Sequence, residues 1–153
     1  MAGRTVLATG VFDILHPGHV KFLQESRRQG GPNARLIVVI ARDKTVMKRK
    51  GKRPVLPEKS RRELVAALKP VDKAILGREE ADYFGILREI KPDIVCVGYD
   101  QNDIKKTVER IVKKEELPIR VVQIAHFGPV GLDSSTRLKC RVIRKASRLT
   151  GGS

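Results

Sequence analysis

The amino-acid sequence predicts an α/β protein, because strand and helix patterns alternate along the whole chain. One strand pattern, residues 36–41, reads Leu-Ile-Val-Val-Ile-Ala without a polar residue, as expected of a strand covered on both faces. Alternation of this kind implies parallel strands, right-handed crossovers and helices on both faces of the sheet. We therefore predict a Rossmann-like, three-layer αβα sandwich with a parallel five-stranded sheet.

Residues that begin and end helices place the elements in order along the chain. Pro17 suits the first turn of a helix, Gly30 ends the first helix, and Pro70 ends the second. Strands are predicted at residues 5–9, 36–41, 73–76, 93–97 and 119–124. Helices are predicted at residues 17–29, 58–69, 79–90, 103–116 and 135–149.

Length, hydropathy and cysteine usage limit the class of protein. We expect a single domain over residues 1–149 and a flexible tail over residues 150–153. The sequence contains no run of about 18 apolar residues and no signal-peptide pattern. Cys96 and Cys140 lie far apart and form no metal-type pair, so we expect a reducing, cytoplasmic setting and two thiols that only pack.

Basic residues are concentrated in two regions of a chain with a net charge of +15. Residues 42–62 hold ten Lys or Arg, and residues 137–148 hold six and no acid. Residues 42–57 are predicted to form a long basic loop, which at this length is usually functional or mobile. The charge fits polyanionic ligands, whereas six aromatic residues and no tryptophan make a poor platform for nucleic-acid bases.

The turn between the first strand and the first helix, residues 10–19, has the features of a phosphate site. Ligands bind at the carboxyl ends of parallel strands, and a helix N-terminus offers N–H groups and a positive dipole end. Gly18 lets the backbone approach a ligand closely, and His16 and His19 add donors. Asp13 is expected to organise the turn by accepting hydrogen bonds from its backbone.

Three further loops are expected at the same edge of the sheet: residues 41–58, 98–102 and 125–136. His19 begins the apolar face of the first helix, so we expect its side chain to point into the crevice. Arg61 begins a similar face on the second helix. A cation near a helix N-terminus opposes the dipole, which favours an anionic ligand beside it.

The pattern G-x-F-D-x-x-H-x-G-H, complete from Gly10 to His19, resembles the nucleotidyltransferases of the HIGH superfamily. The chain is most similar to their cytidylyltransferase-type branch. Segments that agree with the branch are Asp43, Glu58, Arg61, Gly98-Tyr99-Asp100 and the Gly-Leu-Asp-Ser-Ser-Thr stretch at 131–136. Within the branch, residues 41–46, 71–77 and 98–101 resemble archaeal-type FAD synthases, which transfer AMP from ATP to FMN.

The resemblance implies roles for individual residues. His16 and His19 would bind the nucleotide phosphates and stabilise charge on the α-phosphate. Lys50 or Lys52 would close over the β- and γ-phosphates, with Arg61 behind them. The residues implied to bind nucleotide are Val11, Phe12, His16, Pro17, Gly18, His19, Asp100, Phe127, Ser134, Ser135 and Thr136. Asp100 and the segment around His126 and Phe127 would contact the base or ribose, while capping the next helix is the alternative for Asp100.

The implied reaction is in-line attack by the FMN phosphate on the α-phosphorus of ATP, with release of pyrophosphate. The nucleophile is already anionic, so positioning and charge stabilisation suffice. Mg²⁺ or another divalent cation would be carried mainly by the nucleotide phosphates, because no carboxylate cluster for a dedicated metal site is visible. The resemblance also implies a homodimer.

One departure from the branch keeps alternatives open. Its motif carries an arginine shortly before the glycine, whereas residues 127–131 here read Phe-Gly-Pro-Val-Gly, so Arg137 or another cation of the last helix is expected to replace it. One alternative is CTP-dependent transfer to glycerol 3-phosphate or a similar phosphorylated alcohol. Another is a basic nucleic-acid-binding protein on a nucleotide-binding fold, which the complete histidine pattern disfavours.

Overall fold

A computed structural model of the protein describes residues 3–80, 82–126 and 135–150. Its strands are β1 (Thr5–Gly10), β2 (Arg35–Ile40), β3 (Lys73–Leu76), β4 (Ile94–Val97) and β5 (Arg120–Gln123). Its helices are α1 (Pro17–Gln29), α2 (Asp43–Lys50), α3 (Glu58–Ala66), α4 (Tyr83–Ile90), α5 (Asn102–Lys114) and α6 (Ser135–Thr150). The predicted order of elements is confirmed, with α2 as an addition in the described part of the chain.

The five strands form one parallel sheet in the order β3-β2-β1-β4-β5. The chain runs from the central strand β1 outward to β3 and then crosses to the other side of β1 at β4. Next to β1 the strand order therefore reverses, and open α/β sheets bind ligands at the carboxyl ends of the strands beside such a reversal. The fold thus places the segments that follow β1 and β4 at the expected crevice.

Two separate apolar clusters cover the two faces of the sheet, because alternate residues of a strand point to opposite sides. The first cluster includes Val6, Leu23, Val38 and Val65, from β1, α1, β2 and α3. The second includes Leu7, Ile37, Ile86 and Val108, from β1, β2, α4 and α5. All residues of β2 except its first are buried. The predicted three-layer sandwich and its doubly covered strand are confirmed.

The prediction of a loop over residues 42–57 is wrong for its first half, which forms α2. The amide of Asp43 donates to the Glu58 carboxylate at 3.0 Å, and the amide of Glu58 donates to the Asp43 carboxylate at 3.3 Å. Gly51 then ends the helix in a left-handed conformation, with φ 73°. Because Glu58 lies 15 residues from Asp43, local sequence patterns do not reveal this support.

Other helix ends differ by a few residues from the prediction. α4 begins at Tyr83 rather than at residue 79, because the Asp82 carboxylate accepts from the amide of Gly85 at 2.9 Å and caps the helix there. α3 ends at Ala66 rather than at residue 69. None of the described helices is both long enough and apolar enough to cross a membrane.

Candidate active site

A cleft of about 400 Å³ opens at the carboxyl edge of the sheet, beside the reversal of strand order. It is lined by the β1–α1 turn, α2 with the residues around it, the segments after β4 and β5, and the start of α6. The predicted site residues that line it are Val11, Phe12, His16, Gly18, His19, Lys50, Asp100, Ser135 and Thr136. Pro17 and Arg61 do not line it. Phe127 and Ser134 lie outside the described residues.

Packing holds the β1–α1 turn in an unusual backbone conformation. Phe12 has φ 52°, which bulky residues rarely adopt, and its side chain is buried. A Cβ atom on Gly10 would lie 2.6 Å from the Phe12 ring, so this ring position requires glycine there. The Phe12 ring also contacts the ring of His19, with 5.2 Å between centroids. The packing around Phe12 therefore fixes both the conformation of the turn and the position of the His19 ring.

His16 and His19 stand together at the start of α1. Their rings stack with centroids 3.8 Å apart and an interplanar angle of 27°. Burial, together with the electrostatic influence of His16, lowers the pKa of His19 to about 3, so His19 is neutral at pH 7. Its Nδ1 is buried and has no hydrogen-bond partner among the described residues. A neutral imidazole can donate one hydrogen bond to a phosphate oxygen and accept another at its second nitrogen.

The basic segment, residues 48–53, comprises the last residues of α2 and those that follow it. Its side chains are exposed, and those of Arg49, Lys50, Lys52 and Arg53 line the cleft. Among the ion pairs of the described residues, none involves a member of this segment. No carboxylate in the described part of the chain pairs with these charges, so they are available to an anionic ligand. Lys50 and Lys52 both line the cleft, so either can meet the expectation of closing over phosphates.

Arg61 occupies a different place from the one expected. Its side chain is fully buried, and its guanidinium donates to the carbonyl oxygens of Leu56, Val11 and Ala41 at 3.0, 2.8 and 2.8 Å. It also pairs with the Asp43 carboxylate at 2.7 Å. The expected catalytic role behind the phosphates does not fit, because Arg61 does not line the cleft and four hydrogen bonds engage its guanidinium within the protein. The anion that balances this cation is a carboxylate of the chain itself.

The sequence suggests that Asp13 hydrogen-bonds the backbone of its own turn, but the structure shows other partners. Its carboxylate accepts from the amides of Val55 at 2.8 Å and Leu56 at 2.9 Å, more than 40 residues along the chain. It also binds the ammonium group of Lys139 on α6. Although burial opposes ionisation, the hydrogen bonds from Leu56, Lys139 and Val55 hold the pKa of Asp13 below its ordinary value. The expectation is corrected: Asp13 organises a neighbouring segment.

The segment after β4 contributes Tyr99 and Asp100 to the cleft. Asp100 is exposed, and α5 starts after Gln101 without a side-chain cap, so the capping alternative for Asp100 is wrong. The Gln101 side chain instead accepts from the amide of Gly98 at 2.7 Å. The ring of His126 meets that of Tyr99 edge-on, at 4.6 Å between centroids. Tyr99 is a cleft residue that the sequence analysis did not select.

The start of α6 is fastened to the β1–α1 turn. The Ser135 hydroxyl donates to the carbonyl of Ile14 at 2.8 Å and accepts from its amide at 3.3 Å. One helical turn later, Lys139 lines the cleft and binds Asp13, whereas Arg137 is exposed and does not line it. Spacing of four residues places Ser135 and Lys139 on one helix face, and this was the signal available for Lys139.

Comparison with known families agrees with the position of the site. The family model described as cytidylyltransferase-like matches residues 7–141, which include residues from every segment that lines the cleft. This chain belongs to the cytidylyltransferase-like family. The resemblance inferred from the turn at residues 10–19 is thereby confirmed.

Curated relatives of this family member are archaeal FAD synthases. The FAD synthase of Methanopyrus kandleri is 47% identical over 92% of this chain and 93% of its own length. That of Methanothermus fervidus is 43% identical over 94% of both chains. That of Archaeoglobus profundus is 46% identical over 90% of this chain and 85% of its own. The predicted similarity to FAD synthases is confirmed.

Solved structures share the fold. The lipopolysaccharide core biosynthesis protein from Thermoplasma volcanium superposes with a TM-score of 0.74 and 41% identity, over 83% of this chain and all of its own. Pantoate-β-alanine ligase from Francisella tularensis superposes with a TM-score of 0.65 at 13% identity, over 90% of this chain and 65% of its own. The second likeness concerns the fold alone.

Proposed function

We propose that the protein is an FMN adenylyltransferase: it transfers AMP from ATP to the phosphate of FMN, giving FAD and pyrophosphate. The observation that carries the proposal is the stacked His16–His19 pair at the start of α1, in the cleft beside the reversal of strand order. Identity of 47% with a FAD synthase over nearly the whole chain supports the choice of FMN as acceptor.

The β1–α1 turn provides the group-transfer site. A phosphate oxygen of FMN attacks the α-phosphorus of ATP, the new P–O bond forms, and the bond to the pyrophosphate oxygen breaks on the opposite side. No general base is needed, because the attacking phosphate is already anionic. His16 and His19 donate hydrogen bonds to the α-phosphate as its charge shifts. Neutral His19 fits a role as a fixed donor rather than a proton carrier.

The basic segment 48–53 binds the leaving group. Lys50 or Lys52 contacts the β- and γ-phosphates, and the charge of the segment stabilises pyrophosphate as it departs. In the described part of the chain, no three His, Cys, Asp or Glu side chains gather closely enough to form a metal site. The divalent cation, Mg²⁺ in this proposal, enters with ATP, because Mg²⁺ usually keeps several waters and binds through substrate phosphates with few protein ligands.

Asp100 and Tyr99, which line the cleft, contact the base or ribose, together with the segment around His126 and Phe127 from the resemblance. Thr136 and the amide groups at the start of α6 complete the phosphate site, together with Ser134 from the resemblance. The homodimer and the cytoplasmic setting belong to the same proposal: the dimer follows from the resemblance, and the setting follows from the cysteine usage.

Pyrophosphate release with matched substrate pairs tests the assignment. The protein is incubated with MgATP or MgCTP, each with FMN or glycerol 3-phosphate, and FAD is separated from FMN by chromatography. Stoichiometric FAD and pyrophosphate are expected with ATP and FMN alone. Turnover only with CTP and glycerol 3-phosphate would instead assign the alternative cytidylyltransferase function. Salt-sensitive RNA binding without pyrophosphate release in any pair would favour the nucleic-acid alternative.

A further inference from the structure

The carboxylate of Asp13 joins three segments of the cleft, and the transfer chemistry above does not use it. Oδ1 accepts from the Leu56 amide, and Oδ2 accepts from both the Val55 amide and the Lys139 ammonium. The side chain is only 5% exposed. A carboxylate with two amide donors and a cation is held firmly in one orientation. The contacts therefore connect the β1–α1 turn to the residues after the basic segment and to α6.

The residues held by Asp13 come immediately after the basic segment 48–53. The side chain of Val55 is 62% exposed, so apolar packing contributes little to its position. The backbone there is held by the two amide contacts to Asp13 and by the bond from Arg61 to the Leu56 carbonyl at 3.0 Å. Where the cations of the basic segment stand relative to the β1–α1 turn therefore depends on these few hydrogen bonds.

Asp13 also introduces an electrostatic problem. It lines the cleft, and an uncompensated carboxylate there would repel a bound polyphosphate. Lys139 lies against it with a side chain that is 24% exposed, and it is the one Lys or Arg of α6 that lines the cleft. The pair keeps a carboxylate available for the amides of Val55 and Leu56 while cancelling its charge.

We propose that Asp13 is a positioning residue that fastens the basic segment 48–53 beside the β1–α1 turn, and that Lys139 is its counter-charge. The inference rests on the proposed function, since it assigns both residues to the binding of metal–ATP. It predicts that the two residues act through each other. Without Lys139, the carboxylate repels ATP. Without the carboxylate, Lys139 has no negative charge to compensate, so its loss does not raise the KM further.

A double-mutant cycle tests this dependence. The KM for MgATP is measured at saturating FMN for Asp13→Asn, Lys139→Met and the double variant. We expect the KM to rise about fivefold, about tenfold and about fivefold, respectively, so the second substitution adds nothing to the first. A double variant whose KM rises by the product of the single effects, about fiftyfold, would overturn the assignment of Lys139, because that residue would then act on ATP independently.

Limited trypsin digestion of the substrate-free protein tests, without measuring activity, whether Asp13 holds the basic segment in place. We call this set of contacts the tether. The basic segment 48–53 is rich in trypsin sites, and Asp13→Asn should raise its cleavage rate about tenfold by releasing the backbone. Asp72→Asn is the matched control, because Asp72 also accepts from a backbone amide and an arginine, those of Leu36 and Arg27, both at 2.7 Å. It lies at the opposite end of the strands, so its substitution should leave cleavage of 48–53 and the KM unchanged.

Wild-type cleavage and KM in folded Asp13→Asn would overturn the proposal. Should that variant not fold, Val55→Pro removes one amide donor at an exposed side chain, and unchanged cleavage in that variant would count equally against the tether. If the wild-type protein releases no pyrophosphate, the proposed function fails, while the digestion result still decides whether Asp13 holds the segment.

Discussion

The two regions of the cleft proposed to bind a triphosphate are built in opposite ways. In the β1–α1 turn, Phe12 is 3% exposed and His16 8%, and aromatic contacts set the position of His19. In the basic segment 48–53 every side chain is exposed. A group that stabilises a transition state must be placed before the reaction, whereas a cation that attracts phosphate can act from several positions. The difference supports the proposal that the turn stabilises the transition state and that the segment binds the phosphates.

Arg61 connects the two regions. It donates to the Val11 carbonyl in the turn and to the Leu56 carbonyl just after the basic segment. A planar guanidinium can reach several acceptors in fixed directions, which a lysine cannot do. A buried cation with a structural role therefore holds the two regions together. Its removal is expected to have the largest effect on stability.

Arg61→Met should lower the free energy of unfolding by about 3–5 kcal/mol, because it removes the guanidinium from three part-buried carbonyls and takes away the cation paired with the Asp43 carboxylate. Urea denaturation followed by circular dichroism measures the loss. The neighbouring Arg62→Met should stay within about 0.5 kcal/mol of wild type. A loss below about 1 kcal/mol for Arg61→Met would show that solvent replaces these contacts.

His19→Ala should lower the turnover number about a hundredfold or more with the fold intact, as loss of a preorganised donor does. Steady-state pyrophosphate release measures kcat, and circular dichroism checks the fold. Lys21→Ala, an exposed position on the same helix, should behave as wild type. An unchanged kcat in His19→Ala would remove the catalytic half of the comparison.

The depressed pKa of His19 predicts a pH dependence of stability. The folded protein binds the proton only near pH 3, whereas the unfolded chain binds it below about pH 6.5. The unfolded state therefore gains protons first as the pH falls, so this group destabilises the fold progressively between pH 6.5 and 3. From pH 7 to pH 5 the wild type should lose about 2 kcal/mol more than His19→Gln. Urea denaturation at pH 7 and at pH 5 measures the loss for each protein. If wild type and His19→Gln lose the same free energy of unfolding between these pH values, His19 is not buried as a neutral imidazole.

Substitutions in the basic segment should have the smallest effects. Lys50→Ala is expected to raise the KM for MgATP about three- to fivefold with kcat nearly unchanged, because one exposed cation among several contributes modestly. Lys52→Ala tests the alternative assignment, and Lys44→Ala, exposed but outside the cleft, is the matched control. A large fall in kcat for either cleft lysine would mean that the segment also takes part in catalysis.

Local sequence patterns predict much of the fold and part of the site. The uninterrupted apolar residues of β2 predict a doubly covered strand, and the spacing of His16 and His19 after a strand predicts their place at a helix start. α2 was missed because its start depends on Glu58, 15 residues away. Lys139 and Tyr99 were missed as cleft residues because each belongs to an element whose local pattern also fits an ordinary solvated surface.

By itself, the sequence determined the layer order, the parallel sheet and the family, since these follow from periodicity and from one contiguous motif. Only the tertiary structure decided which charges face the ligand and which hold the protein together. Asp13 and Arg61 both belong to segments that the sequence assigns to phosphate binding, yet each binds backbone groups of other segments. Partners so distant along the chain leave no local pattern, because a charged side chain takes whichever acceptor or donor the fold brings closest.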